Sequence, residues 1–250
     1  MSKKATGVIV VVAIILLWEA VSLSGVVNNS LFPAPSQVAA AGWQLLLSGV
    51  VKDIAVSMSR LLVGLIVGTV IGIAIGLLTG RSKTAAGILS PIIQLLRPLP
   101  PVAIIPLIIV WFGIGNGAKV FSIAFAVFFP VWINTHIGSK MIPKIYIWTG
   151  RLLTKSWFKK ATKVIFPASL PFIVVGVRSG IALAFIMVFV SELAGASIGL
   201  GYRISIAHLA YRIDEMIFAL ALLAILGALT DYLFSVAVRR IFPWLKFKTI

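Results

Sequence analysis

The 250-residue chain has no cysteine, two histidines and six acidic residues. Without cysteine there is no disulfide, no thiolate nucleophile and no thiolate metal site. His136 and His208 have no ligand-like spacing, so no metal site is expected. The acids are Glu19, Asp53, Glu192, Asp214, Glu215 and Asp231. Only Asp214 and Glu215 are close in sequence, and adjacent helical residues face different directions, so no carboxylate pair is set to flank a substrate. No G-x-x-x-x-G-K-S/T stretch occurs. "GIGNGAK", residues 113–119, is glycine-rich, but its lysine does not follow a glycine, and it reads as a turn. The expectation is a chain with no catalytic residues, no metal and no cofactor of its own. If it uses nucleotide energy, another subunit hydrolyses the nucleotide.

What is present is apolar. The chain is 60% hydrophobic and 11% charged, with a mean hydropathy of +1.13. Soluble domains carry about a quarter charged residues. The solvent for much of this surface is therefore lipid. The net charge of +16 would point to nucleic acid in a soluble protein. Here the basic residues fall between apolar segments, so membrane topology accounts for them and no nucleic-acid partner is expected.

A membrane-spanning helix needs roughly 20 mostly apolar residues. Six spans are expected, at about 7–26, 57–80, 84–113, 118–138, 171–191 and 216–238, in one domain over residues 1–250. They must be helices, because backbone polar groups in lipid have to be satisfied internally. The fold class is thus all-α and polytopic. The first span follows Lys3 and Lys4 like a secretory signal. Its apolar run continues past Glu19 with no small-x-small cleavage site, so a retained helix is expected.

With the N-terminus inside, fifteen Lys and Arg residues fall on the inner side: Lys3, Lys4, Arg81, Lys83, seven in 140–163, Arg239, Arg240, Lys246 and Lys248. Only Lys52, Lys119, Arg203 and Arg212 fall outside. Arg60, Arg97 and Arg178 lie within spans or at their edges. This bias puts both termini and the 140–170 loop in the cytoplasm.

Three local patterns stand out. Gly64, Gly68, Gly72, Gly76 and Gly80 form a four-residue ridge on the second span, repeated by Gly176 and Gly180 on the fifth. Such a ridge lets another backbone approach closely, either within one subunit or across a dimer seam. The third span is interrupted at "RPLPP". Irregular backbone at that depth must be buried in protein or line a wet cavity. Arg97, Pro98 and Pro100 are therefore candidate pathway residues. Arg97 can equally be structural, capping helix carbonyls or pairing with Asp231 or Glu192. Third, "SELAGASIGLGYRI", 191–204, reads as a tightly packed hairpin in which Glu192 and Arg203 could pair, and Glu192 is a further pathway candidate. Asp231 reads as a helix-to-helix hydrogen-bonding residue. Segment 27–56 reads as external, with a proline-bounded turn and an interfacial helix over "QVAAAGWQLLLSG".

The basic loop "IWTGRLLTKSWFKKATKVIFPASLP" resembles the signature cytoplasmic loop of ABC importer permeases. "LFPAPSQV", "LLRPLPPVAIIPLIIVWFGIG", "FFPVWINT", "FPASLPFIVVGVRSGIALAF" and "SELAGASIGLGYRI" resemble the nitrate, sulfonate and taurine branch of that family, over about residues 30–240. The family's Glu-Ala-Ala stands here as Trp148, Thr149 and Gly150, and its glycine as Thr154. The resemblance implies a type I permease fold in the cell inner membrane. It implies a coupling helix at about 147–156, carried by Trp148, Thr149, Gly150, Arg151, Leu153, Thr154, Lys155 and Ser156. It also implies ATP-binding cassette ATPase subunits that hold ATP and Mg, an extracytoplasmic solute-binding protein, and a second permease copy. The implied solute is a small oxyanion or sulfonate. A stand-alone carrier or channel would need more intramembrane acids and an inverted repeat. A membrane scaffold would use the basic loop only for docking.

Overall fold

The computed structural model describes residues 3–245, without the side chains at 3–5, 8, 151 and 153. Lys246 and Lys248 lie outside the described residues, as do the side chains of Lys3, Lys4, Arg151 and Leu153. Helix dominates, and no strand occurs among the described residues. In chain order the helices are α1 (Lys3–Leu23), α2 (Pro35–Leu47), α3 (Val50–Arg81), α4 (Lys83–Leu96), α5 (Ile105–Phe112), α6 (Asn116–Lys140), α7 (Lys144–Leu153), α8 (Trp157–Lys160), α9 (Phe166–Leu193), α10 (Leu200–Leu209) and α11 (Ile213–Ile241). A 3-10 turn, Pro101–Ile104, leads into α5, and a π-helical turn, Ala161–Ile165, joins α8 to α9.

Four helical stretches are long and apolar enough to cross a membrane: Val50–Arg81, Asn116–Lys140, Trp157–Leu193 and Ile213–Ile241. They match the second, fourth, fifth and sixth expected spans. The third expected span is two helices, Lys83–Leu96 and Pro101–Phe112, bent by 86°. The cause is local. Arg97 ends α4 with its N–H on the Ile93 carbonyl, and Pro98, Pro100 and Pro101 remove the donors that would continue the helix. The first expected span appears as α1, with a shorter apolar stretch at Ile9–Leu23.

Contacts group the chain into two compact units, Met1–Ser57 with Ala196–Ile225, and Met58–Gly195 with Leu226–Ile250. In the first unit, Glu19 of α1 accepts bonds from the Ser36 N–H (3.0 Å) and hydroxyl (2.6 Å), satisfying a free donor at the start of α2. Trp18 donates to the Pro33 carbonyl and Ser22 to that of Phe32. Helix α2 is two-faced: Val38, Ala41 and Leu45 are buried while Trp43 and Leu47 are exposed. This is the pattern of the expected interfacial helix.

In the second unit α6 is the hub. A methyl group built on Gly68 of α3 would lie 2.5 Å from the Ala124 carbonyl oxygen, and one on Gly76 would lie 3.0 Å from that of Trp132. On the other side, one on Gly176 of α9 would lie 3.0 Å from the Pro130 carbonyl oxygen. Both glycine ridges therefore pack against α6 of the same chain. Trp132, almost fully buried, donates to the Thr79 hydroxyl (3.2 Å), tying α6 to α3.

Candidate functional sites: the basic-loop helix and three ion pairs between helices

The basic loop folds into α7, α8 and the π-helical turn. Helix α7 runs Lys144–Leu153, three residues earlier than the expected coupling helix at 147–156. Pro143 precedes its first turn, and Thr154 stops it by adopting extended backbone. Thr149 donates to the Ile145 carbonyl of its own helix. Gly150 is buried, with the Val164 methyl 3.2 Å from where its Cβ would stand, so α7 is rooted on the turn before α9. Lys155 and Ser156 are exposed, and Ser156 caps α8 through the Lys159 N–H. Ile145, Trp148 and Leu152, at helical spacing on α7, are exposed apolar side chains, Leu152 at 88%. Two of these three escaped the sequence reading; their i, i+3, i+7 spacing was the available signal.

At the break between α4 and α5, Arg97, Pro98 and Pro100 are all exposed. Neither acid considered for Arg97 is its partner. Asp231 is held by Arg178, and Glu192 by Arg60. The structure thus separates the four candidate pathway residues: three sit at the exposed break, while Glu192 is buried. The expected Glu192–Arg203 pair is not formed either. Arg203 binds Asp53 instead, because α10 turns back onto the start of α3.

That pairing is the first of three that join different helices among the described residues. Within the first unit, Asp53 of α3 accepts from the Gly199 N–H (2.8 Å) and from Arg203 Nε (2.6 Å). Ser57 accepts from the Leu200 N–H at 2.9 Å. Two side chains of α3 thus satisfy free donors at the N-terminus of α10. Within the second unit, Arg60 Nη1 donates to Glu192 Oε1 (2.7 Å) and Arg60 Nε to Asn116 (2.9 Å), with the Arg60 and Glu192 side chains 6% and 0% exposed. Beside it Lys119 donates to the carbonyls of Ile114 (2.7 Å) and Gly195 (3.1 Å). Only 113–115 of "GIGNGAK" is the expected turn; 116–119 begins α6, and its lysine is a buried brace rather than an exposed outer charge. The third pair joins α9 to α11. Arg178 Nε and Nη2 donate to the two Asp231 oxygens at 2.8 and 2.6 Å, with the side chains 54% and 35% exposed. The helix-to-helix role read for Asp231 is the one found, with a charged partner.

A family profile described as binding-protein-dependent transport system inner membrane component matches residues 68–247. The chain belongs to this family. It is 33% identical over 239 residues to the putative aliphatic sulfonates transport permease protein SsuC of Bacillus subtilis (strain 168), covering 95% of this chain and 87% of that one. It is 32% identical to the taurine transport system permease protein TauC of Escherichia coli (strain K12), covering 98% and 91%. Against the nitrate import permease protein NrtB of Synechocystis sp. the identity is 30%, covering 92% and 86%. The fold of this permease is shared with a chain of the MetNI methionine ABC transporter, solved in inward-facing conformations: TM-score 0.62 at 23% identity, covering 79% of this chain and 96% of that one. The ABC importer permease fold expected from the sequence is the one found, in a family of inner-membrane components.

Proposed function

We propose that this permease is the membrane half of an ATP-driven importer for a small oxyanion or sulfonate. The observation that carries the reading is α7. It displays Ile145, Trp148 and Leu152 to solvent on a rooted base, in a loop rich in Lys and Arg. An exposed apolar stripe of this kind marks a protein docking surface. The partner is an ATP-binding cassette ATPase that holds ATP and Mg; the permease itself carries no cofactor and performs no hydrolysis. Trp148 inserts into the ATPase. Thr149, Lys155 and Ser156 line the rim, while Gly150 and Thr154 hold the base. The excess of basic residues in 140–163 and near both ends supports a cytoplasmic side for the termini and α7. Lys159, Lys160 and Lys163 rest on anionic headgroups, at about 1 kcal/mol each.

The assembly has two permease copies and two ATPases. An external binding protein delivers the solute. Closure of the ATPases on ATP moves both α7 helices and switches access from one side to the other. The solute class is supported by the names of the relatives and by the cationic side chains Arg97 and Arg178 within the spans. The test is purification of tagged permease from native membranes. A stoichiometric ATPase should co-purify, and should be lost when residues 149–156 are replaced by a Gly-Ser linker. A homomer with no ATPase overturns the reading.

A further inference from the structure

Arg178 and Asp231 lie in membrane-spanning helices, yet neither is enclosed. Counted from the inner ends of the expected spans, at residues 171 and 238, both lie about 10 Å into the membrane at 1.5 Å per residue. The two helices run in opposite directions and still bring the charges to one depth. Over half of the Arg178 side chain and a third of that of Asp231 are accessible in the chain. Charged groups at such a depth do not face hydrocarbon. They face a water-filled cavity or another protein surface.

The hydrogen bonding of the pair is incomplete. A guanidinium has five N–H donors in a fixed fork. Asp231 takes two of them, one from Nε and one from Nη2. The Nη1 edge and the second Nη2 hydrogen have no acceptor among the described residues. The exposed residues of α9 around the pair share one face: Val175, Arg178, Ser179, Ala182 and Ile186. Gly176, Val177, Gly180, Ile181 and Ala184 are buried, with the two glycines against α6. The exposed face beside Arg178 therefore carries small side chains at Ser179 and, one turn on, Ala182.

We propose that Arg178 is a docking site for the oxyanion group of the solute on the route across the membrane, with Asp231 as the residue that positions it. The inference rests on the importer reading and names a contact within it. Asp231 fixes the guanidinium plane side-on and leaves the outer edge free for a sulfonate or similar oxyanion, which is bound by two parallel N–H···O bonds. Because Asp231 neutralises Arg178, the site holds an anion weakly enough to release it, as a transport pathway requires.

The chain has no native cysteine, so single thiols can be placed directly. The test uses Ser179→Cys in membrane vesicles containing the whole complex. It compares labelling by methanethiosulfonate ethylsulfonate, an anion, with labelling by its trimethylammonium analogue, a cation. Val70→Cys, an exposed apolar position on α3, is the lipid-facing control. Both charged reagents should label position 179 and neither should label 70, and ethanesulfonate should slow the anionic reagent. Arg178→Gln should lower the anion-to-cation rate ratio roughly tenfold, and Asp231→Asn should raise it by a similar factor. Arg178→Lys keeps the charge and should keep the ratio, which guards against a misfolded variant.

Labelling only by a membrane-permeant maleimide would place the pair against lipid and overturn the proposal. A disulfide between two copies at 179, with no labelling, would make it a subunit seam and overturn it too. So would a rate ratio that ignores Arg178→Gln. Co-purifying ATPase, measured on the same vesicles, reports separately on the importer reading.

Discussion

Helix α9 carries two ion pairs built in opposite ways. Near its end, Glu192 meets Arg60 with both side chains almost wholly out of solvent, and Asn116 takes a further guanidinium donor. Midway, Arg178 meets Asp231 at a similar distance, with both side chains accessible. The chemistry is the same and the surroundings differ. A buried pair has given up its hydration, so losing one partner strands a charge. An accessible pair keeps much of its hydration, and its net contribution to stability is small. The first pair is therefore a structural brace. The second is available to something that passes by.

The sharpest way to break this contrast is to remove one partner of the brace. Glu192→Ala or Arg60→Ala should cost about 3–5 kcal/mol, seen as a large fall in the melting temperature of purified permease. The double change Arg60→Met with Glu192→Leu should recover part of it, because the pair's two charges go together, while Asn116 and the buried Lys119 lose a polar neighbour. Next comes the ridge on the same helix as Arg60. Gly68→Leu forces a side chain against the Ala124 carbonyl, and should cost about 1–3 kcal/mol by prising α3 from α6. Gly87→Ala meets nothing within 4 Å and should be neutral or stabilising by up to about 1 kcal/mol in the same assay.

The Asp53–Arg203 pair falls between the extremes, with Asp53 buried and Arg203 a third exposed. Asp53→Ala should cost about 1–3 kcal/mol by leaving the Gly199 N–H unpaired, with faster hydrogen exchange at the start of α10. The smallest effect belongs to the open pair. Arg178→Gln should change stability by no more than about 1 kcal/mol, while its influence on solute access is large. Equal losses at Arg60 and Arg178 would erase the distinction drawn between them.

The fold was legible in the sequence wherever a single helix carried its own signal. The apolar runs of α3, α6, α9 and α11 and the glycine spacing that seats α3 and α9 on α6 were all visible. The proline break at Arg97 was visible too, though its 86° bend was not. Pairing was harder. Asp53, Ser57 and Arg60 extend the face of the glycine ridge at helical spacing, a sign that they point inward. Which partner each finds depends on how α10 and the 113–115 turn fold back, and that is a tertiary fact. Glu192 and Arg203 were paired because they are near in sequence; Arg60 lies 132 residues from Glu192 and still reaches it. In the basic loop the Lys and Arg residues drew attention, while the apolar stripe beside them on α7, Ile145, Trp148 and Leu152, was equally legible from its spacing.

One measurement tests the account most directly: ATP hydrolysis by the purified complex in lipid nanodiscs, with and without its solute-loaded binding protein. The account predicts hydrolysis stimulated by the loaded binding protein, and loss of that stimulation in the permease variant Trp148→Asp, Leu152→Asp while its melting temperature holds. Hydrolysis indifferent to both the binding protein and these changes would contradict it, as would solute uptake driven by an ion gradient without ATP.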